Sequence, residues 1–353
     1  MSLHATVAGW LLGPPSGANR RLLALLAHMG PLLQRGERVT VLHRPDFSPP
    51  ELPNIAWQPL AIPAAPTWRR AFAERRLLPR ALRALAATVH DHGFLPLPKL
   101  PVPAILLVHD VRAADGLSRW PRWLARSVLR RSCARAAAIV VPSRWTAGRV
   151  LALAPQAPEP VVVGNGVDVP PSVTGSLPRP APANGYVLHI GHVEPRKNLG
   201  VVVEALARLP ADTRPELWLA GHDAGALASL RAQAARRGVA LVALGAVPEA
   251  TLHALYAAAR TVVVPSLHEG FGLPALEAIA HNRPLLVAAA GALPEVSGPC
   301  APALPPHDPT AWATALGSAP AIQDAAANSA WLRQFRWADA ARQLLQVWRR
   351  AGG

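Results

Sequence analysis

Short apolar runs alternate along nearly the whole chain with longer stretches in which apolar positions recur at helical spacing. The short runs read as buried strands and the long ones as amphipathic helices, the order expected of βαβ units around a mostly parallel sheet. In the first half, strands are expected over 5–12, 39–42, 104–109, 138–141 and 161–163, with helices over 20–35 and 123–135. The segment VPPSVTGSLPRPAPANG at 169–185 breaks every period with proline and glycine and reads as an interdomain linker. The pattern then restarts. Strands are expected over 186–190, 216–220, 240–243, 261–264 and 285–288, helices over 198–209, 224–237, 251–259 and 274–281, and a last helix over 330–350.

Length supports that division, because 353 residues exceed what one core usually holds. With 51% hydrophobic and 16% charged residues and a mean hydropathy of +0.19, each half can bury its own core. Cys133 and Cys300 stand far apart with no ligand spacing beside them, so neither a disulfide framework nor a zinc site is indicated. The N-terminal MSLHATVAGWLLGPPSG has no basic flank and reads as a first strand rather than a signal peptide. No uncharged apolar run approaches the roughly 18–20 residues a spanning helix needs. A cytoplasmic protein is expected.

Charge changes the picture more than composition does. The net charge is +15, and residues 1–170 carry most of the excess. Such a field attracts phosphorylated ligands, nucleic acid or an anionic membrane. Two stretches, from Trp68 to Leu85 and from Arg119 to Arg135, mix arginine with aromatic and aliphatic residues. In the second, Pro121 suits a helix start, with Trp123, Leu124, Val128 and Leu129 forming one apolar face opposite Arg122, Arg126, Arg130 and Arg131. That helix can lie on an anionic membrane or pack its apolar face on a sheet. No nucleic-acid-binding motif accompanies the charge, and nucleic acid is not expected as a partner.

Open α/β sheets bind ligands outside the carboxyl ends of their strands, where helix N-termini favour anions. After 186–190 comes GHVEPRKNL, which sets Arg196 and Lys197 before a helix that Asn198 can cap. A solvated Arg–Lys pair is the plain alternative. After 261–264 comes PSLHEGFGLPALEAIAHNRPLLV, in which Gly270 and Gly272 permit close backbone approach and Pro274 suits a first helical turn. Glu269 precedes the glycines and Glu277 falls in that first turn, so two carboxylates flank one phosphate-sized nest. Two solvated glutamates beside a turn is the alternative here.

The segment Glu269-Gly-Phe-Gly-Leu-Pro-Ala-Leu-Glu277 resembles the paired-glutamate signature of the retaining family-four glycosyltransferases, and HIGHVEPRKNL resembles their phosphate-binding loop. VVPSRWTAGRV at 140–150, VVVGNGVD at 161–168, LWLAG at 217–221 and LGAVPEATLHALYAAARTVVVPS at 244–266 extend the likeness. It implies a GT-B fold of the α/β class, with two Rossmann-like doubly wound domains facing a central cleft. Residues 1–170 would form the acceptor-side domain, 171–184 the linker and 185–335 the nucleotide-sugar donor domain, with 336–353 a C-terminal helix that can pack back on the first domain.

The same resemblance implies that Arg196 and Lys197 neutralise the donor diphosphate. The peptide N–H groups from Gly270 through Phe271 and Gly272 to Leu273 would hold phosphate or hexose oxygens, with Glu277 on the ribose and Glu269 on the transferred sugar. Val247 would contact the base, and Gly191 and Gly221 belong to the same donor set. LLVHD implies His109 beside the donor sugar, although a core or strand-end histidine fits the residues as well. GPPSG resembles the glycine loop after the first strand, where only Gly17 fits because Ala18 replaces a second glycine; Gly164 likewise replaces the usual proline before Asn-Gly-Val-Asp.

Glu269, His109, Arg196 and Lys197 are thus the expected catalytic residues. The sequence contains no Asp-x-Asp, so no metal and no cofactor are expected beyond the nucleotide sugar as co-substrate. The implied reaction is metal-independent retaining transfer of a mannose-like hexose to a polysaccharide or lipid-linked acceptor, at the inner face of the cytoplasmic membrane. A nucleotide-sugar-binding protein without turnover and another GT-B enzyme, such as an epimerase or a phosphorylase, are the competing readings.

Overall fold

The computed structural model describes residues 2–13, 16–116, 121–168, 175–318 and 324–353. Pro14 and Pro15 of the GPPSG loop, Arg119 of the second basic stretch and the first residues of the expected linker lie outside them. The elements run β1 (His4–Ala8), α1 (Gly17–Met29), β2 (Arg38–His43), β3 (Ile55–Pro59), α2 (Thr67–Ala84), β4 (Val89–His92), β5 (Ala104–Leu107), α3 (Arg122–Cys133), β6 (Ala138–Val141), α4 (Arg144–Leu153) and β7 (Val161–Val162). They continue β8 (Tyr186–Ile190), α5 (Leu199–Ala207), β9 (Glu216–Ala220), α6 (Leu227–Arg236), β10 (Leu241–Gly245), α7 (Glu249–Ala258), β11 (Thr261–Val264), α8 (Leu273–Ala280), β12 (Leu285–Ala288), α9 (Leu293–Ser297), β13 (Ala303–Leu304), α10 (Pro309–Gly317), α11 (Ala325–Leu332) and α12 (Trp337–Gly352).

Two compact units result: Met1–Gly166 with Phe335–Gly353, and Val167–Gln334. Among the described residues the first holds a seven-stranded sheet in the order β3-β2-β1-β4-β5-β6-β7, the second a six-stranded sheet in the order β10-β9-β8-β11-β12-β13, and every strand pairing is parallel. Each order reverses once beside its first strand, at β1/β4 and at β8/β11. Those reversals are the switch points at which doubly wound sheets open a crevice.

Several boundaries differ from the sequence reading. The first strand ends at Ala8 rather than residue 12, because Gly9 packs against β2: a Cβ there would stand 2.6 Å from Val41 Cγ1. A bend from Gly9 to Leu12 follows, and Trp10 is fully buried. β4 carries the letters Val-His-Asp-His, too polar for a hydrophobic-run search, yet all four residues are buried. The expected helix at 330–350 is two. α11 packs on α8 in the second unit, the chain extends at Arg336, and α12 lies against α1 and β4 in the first. Its apolar stripe, including Trp337, Leu344, Leu345 and Trp348, is buried there, and Trp348 Nε1 donates to Asp91 Oδ2 at 2.8 Å.

α3 corrects the expected amphipathic face. Ala125, Leu129, Ser132 and Cys133 form its buried stripe, whereas Trp123 is 72% exposed among the arginines. Ala125 and Trp123 are two residues apart and therefore point to opposite sides of a helix. Trp68 and Phe72 of α2 are exposed in the same way, at 67% and 65%. Among the described residues no helix is long and apolar enough to cross a membrane.

Candidate functional site

In the second unit Gly191, Gly221, Arg196, Lys197 and Glu269 meet at the β8/β11 switch point. Gly191 follows β8 with φ +132°, and its N–H donates to Ala220 O at 2.9 Å. Gly221 follows β9 with φ +149°, and a Cβ there would lie 2.1 Å from Gly191 O, so only glycine lets these two loops touch. A 3-10 turn, Pro195–Lys197, then carries Arg196 and Lys197 across to the loop after β11. The two loops are joined by Leu267 N–H donating to Arg196 O at 2.9 Å.

Asn198 occupies the N-cap position of α5 but does not cap it. Its backbone is left-handed at φ +54°, which turns the side-chain amide to donate to Pro265 O at 3.2 Å and Pro306 O at 2.7 Å. The asparagine is a brace between loops.

Lys197 is only 7% exposed, and its ammonium pairs with the Glu269 carboxylate. Arg196 reaches the other Glu269 oxygen at 3.5 Å, donates to His268 O at 2.9 Å and pairs with Glu194 at 2.6 Å. Ser266 Oγ donates to Glu269 Oε1 at 3.0 Å. Burial alone would raise the Glu269 pKa, but Lys197, Arg196 and the Ser266 hydroxyl outweigh it and hold the carboxyl down at about 2. The glutamate backbone is clamped as well: Ala292 N–H donates to Glu269 O at 2.9 Å, and Gly291, at φ +61°, leaves no room for a Cβ beside it.

Gly270 to Leu273 lead into α8, whose N-cap is Gly272 at φ +100°. The helix begins at Leu273, so Glu277 lies in its second turn rather than the first. It is 7% exposed there and accepts from Tyr256 Oη at 2.6 Å. Tyr256 in turn stacks on His281 with ring centroids 4.9 Å apart. Val247 stands half-buried in the loop after β10. Phe271 is 6% exposed and belongs to the core.

His109 and Gly17 lie in the first unit. His109 follows β5 and lines a small cavity of about 40 Å³ at the β1/β4 switch point, with Gly9, Asn19, Arg21, Asp91 and Gly93 among its neighbours. Burial, and next the nearby Arg21, push the His109 pKa to about 4, leaving a neutral imidazole at neutral pH. Gly17 opens α1, and the Ser16 hydroxyl caps that helix by accepting from Asn19 N–H at 3.2 Å. Among the described residues no group of three or more His, Cys, Asp or Glu is placed to hold a metal ion.

The profile described as "Glycosyl transferases group 1" matches residues 184–319, and that of "Glycosyltransferase Family 4" matches residues 15–170. The MMP alpha-(1->4)-mannosyltransferase of Mycolicibacterium hassiacum is 30% identical over 283 residues, 71% of this chain and 67% of that protein. The chain belongs to the family-four glycosyltransferases. The O-antigen chain mannosyltransferase B of Escherichia coli is 36% identical over 177 residues, and the match spans 47% of this glycosyltransferase and 46% of that protein. The chain thus spans about half the length of that relative. Among solved structures, sucrose-phosphate synthase from Thermosynechococcus elongatus matches with a TM-score of 0.80 at 17% identity, covering 99% of this chain and 98% of that one. Anabaena Alr3699/HepE in complex with UDP-glucose matches at 0.73 and 16% identity, covering 98% and 99%. These likenesses establish the GT-B fold.

The sequence reading of this glycosyltransferase missed Ser266, Tyr256 and His189, all buried beside its glutamates and cations. Tyr256 sits on α7 and His189 inside β8, where spacing along the chain carries no sign of the contact. Only Ser266, three residues before Glu269, was within reach of a local pattern. An exposed pair, His192 and His222, also stacks at the ends of β8 and β9 with centroids 6.0 Å apart.

Proposed function

We propose that this family-four glycosyltransferase moves a hexose from a nucleoside diphosphate sugar to a glycan or lipid-linked acceptor, with retention and without a metal ion. The observation that carries this reading is the Lys197–Glu269–Arg196 cluster, one buried and one half-buried cation held by a single internal carboxylate at the switch point of the second unit. Glu269 acts there as an internal substitute for an anionic ligand. A diphosphate entering the same place takes over the cations and releases the carboxylate to sugar hydroxyls.

Chemistry follows from that exchange. The bond from the anomeric carbon to phosphate oxygen breaks, its electron pair leaves on the diphosphate, and charge grows beside Arg196, Lys197 and the α8 N-terminus. The acceptor oxygen bonds to the anomeric carbon on the same face while its proton passes to the departing phosphate. Cations placed in advance supply the stabilisation that a metal-dependent transferase obtains from its ion. Glu277, oriented by Tyr256, is assigned to the ribose hydroxyls, and Val247 to the base. His109 and Gly17, on the first unit, are assigned to sugar hydroxyls and acceptor.

Two relatives named as mannosyltransferases support mannose as the first sugar to test. Trp68, Phe72 and Trp123, exposed among the arginines of α2 and α3, support attachment to an anionic membrane surface. The deciding experiment is a thermal-shift and transfer panel with UDP- and GDP-sugars, with and without EDTA. A stabilising nucleotide sugar that is turned over equally in EDTA is expected. Stabilisation without turnover would mark a binding protein, and turnover abolished by EDTA would remove metal independence.

A further inference from the structure

Near Lys197 lies a buried polar atom with no hydrogen-bond partner among the described residues. His189, in β8, is 0% exposed, and its Nδ1 stands 3.2 Å from the Val263 carbonyl oxygen of the neighbouring strand. That contact requires Nδ1 to carry the proton, so Nε2 is a lone-pair acceptor, and among the described residues it has no hydrogen-bond partner. Burial first, and Lys197 next, bring the imidazole pKa to about 4. The ring is therefore neutral in the working range.

Nε2 and the Lys197 ammonium both face the Cα of Gly191. A Cβ built on Gly191 would stand 3.7 Å from His189 Nε2 and 3.6 Å from Lys197 Nζ. Glycine keeps that space open. The cation is itself unusual here, since Lys99 and Lys197 are the only lysines among 36 Lys+Arg. An ammonium offers three donors diverging from one nitrogen, whereas a guanidinium is a flat fork. Lys197 can face an anion with two N–H groups and still direct a third backwards.

We propose that His189 is a positioning residue for Lys197: once a donor diphosphate draws the ammonium from Glu269, His189 Nε2 accepts one of its N–H groups and holds the cation at the leaving group. The idea rests on the donor-site reading above. A neutral acceptor suits the task, because a second carboxylate would compete with the phosphate for the charge, and an apolar side chain would let the ammonium follow Glu269.

Two near-isosteric variants separate the ring's nitrogens. His189→Asn keeps an amide N–H for Val263 O but offers nothing at Nε2, and His189→Gln places an amide oxygen near Nε2 but loses the Val263 bond. His189→Asn should lower kcat by about tenfold or more with little change in KM or Tm, and His189→Gln should recover most of the rate despite the lost bond. With lysine 13C-labelled at Cε, the two lysines give two NMR signals. Adding UDP or GDP should move the Lys197 signal, and by a different amount in His189→Asn. Wild-type kcat in His189→Asn, or both variants losing rate in proportion to Tm, would overturn the proposal. If Lys197→Ala transfers normally and no nucleotide moves either signal, the donor-site reading fails first. A strong Lys197→Ala effect with a silent His189→Asn overturns the His189 role alone.

Discussion

Buried carboxylates of the two units titrate in opposite directions. Glu269 is held down at about 2, whereas burial pushes Glu74 of α2 up to about 7 and Asp91 of β4 up to about 6. All three are largely shielded from water, so burial alone does not separate them. What differs is the supply of cations and donors. Glu269 has Lys197, Arg196 and the Ser266 hydroxyl. Glu74 has one guanidinium, Arg70 at 3.2 Å, and the Trp10 indole N–H, and Asp91 has the Trp348 N–H with Arg21 as a weaker influence. Two cations outweigh desolvation and one does not. The second unit thus holds its carboxylate ionised between two cations, while the first ties its elements together through carboxyls whose pKa values burial raises.

The sharpest test exchanges the roles of two cations. Arg21 is fully buried in the first unit and donates to Val163 O and Gly164 O, each at 3.0 Å, and to the Asn165 side chain. Arg21→Leu strands these acceptors and should cost about 3–5 kcal/mol of stability in a urea titration. Lys197→Ala should instead lower kcat by about 100- to 1,000-fold while Tm moves by only a few degrees, in the manner of a lost charge-stabilising donor. If Lys197→Ala unfolds the protein and Arg21→Leu does not, the comparison is inverted.

A smaller effect reads the carboxylates directly. The folded pKa of Glu74 lies above its ordinary value of 4.5, so its stabilising proton is fully held below about pH 4.5 and lost as pH rises towards 7. Relative to wild type, Glu74→Gln should therefore gain on the order of 2 kcal/mol between pH 5 and pH 8, whatever constant offset the amide brings. The folded pKa of Glu269 lies below 4.5, so its contribution is present above 4.5 and lost as pH falls towards 2. Glu269→Gln should then track wild type from pH 5 to pH 8 and gain on it only under stronger acid. Histidines with lowered pKa values contribute nearly equally in wild type and variant between pH 5 and pH 8; His189, whose pKa the Glu269 charge raises, departs only in stronger acid. Urea midpoints at four pH values decide the matter, and parallel slopes for the two variants would refute the contrast.

Legibility in the sequence follows the same division. In the second unit the candidate residues stand at short spacing in two segments that leave strand ends, so Arg196, Lys197, Glu269 and Glu277 could be nominated from pattern. In the first, the polar residues lie inside the strand Val-His-Asp-His and on a helix contributed by the chain's end, and neither place leaves a local trace. Asp91 meets Trp348 across 257 positions. Trp123 misled for another reason: at about 100° per residue it stands about 120° from Leu129, so the two share no face, and Leu129 is the one that meets the core. The support behind the two glutamates, from Tyr256 and Gly291, appears only when non-adjacent segments are folded together.

The smallest expected effect compares two carboxylates held by an aromatic donor. Trp348 Nε1 holds Asp91 at 2.8 Å in the first unit, and Tyr256 Oη holds Glu277 at 2.6 Å in the second. Both donors are almost fully buried, and removing either leaves an acceptor short of a partner, a loss of about 1–3 kcal/mol when nothing replaces it. Asp91 has little to turn to, so Trp348→Phe should register that loss in stability and leave nucleotide affinity unchanged. Glu277 is assigned to the ribose, whose hydroxyls can supply the missing donor only if the carboxylate still points the right way. Tyr256→Phe should therefore weaken nucleotide-sugar binding by about threefold to tenfold in a calorimetric titration, with a smaller drop in stability than Trp348→Phe. Equal stability losses and unchanged affinity in both variants would make Glu277 a structural carboxylate like Asp91.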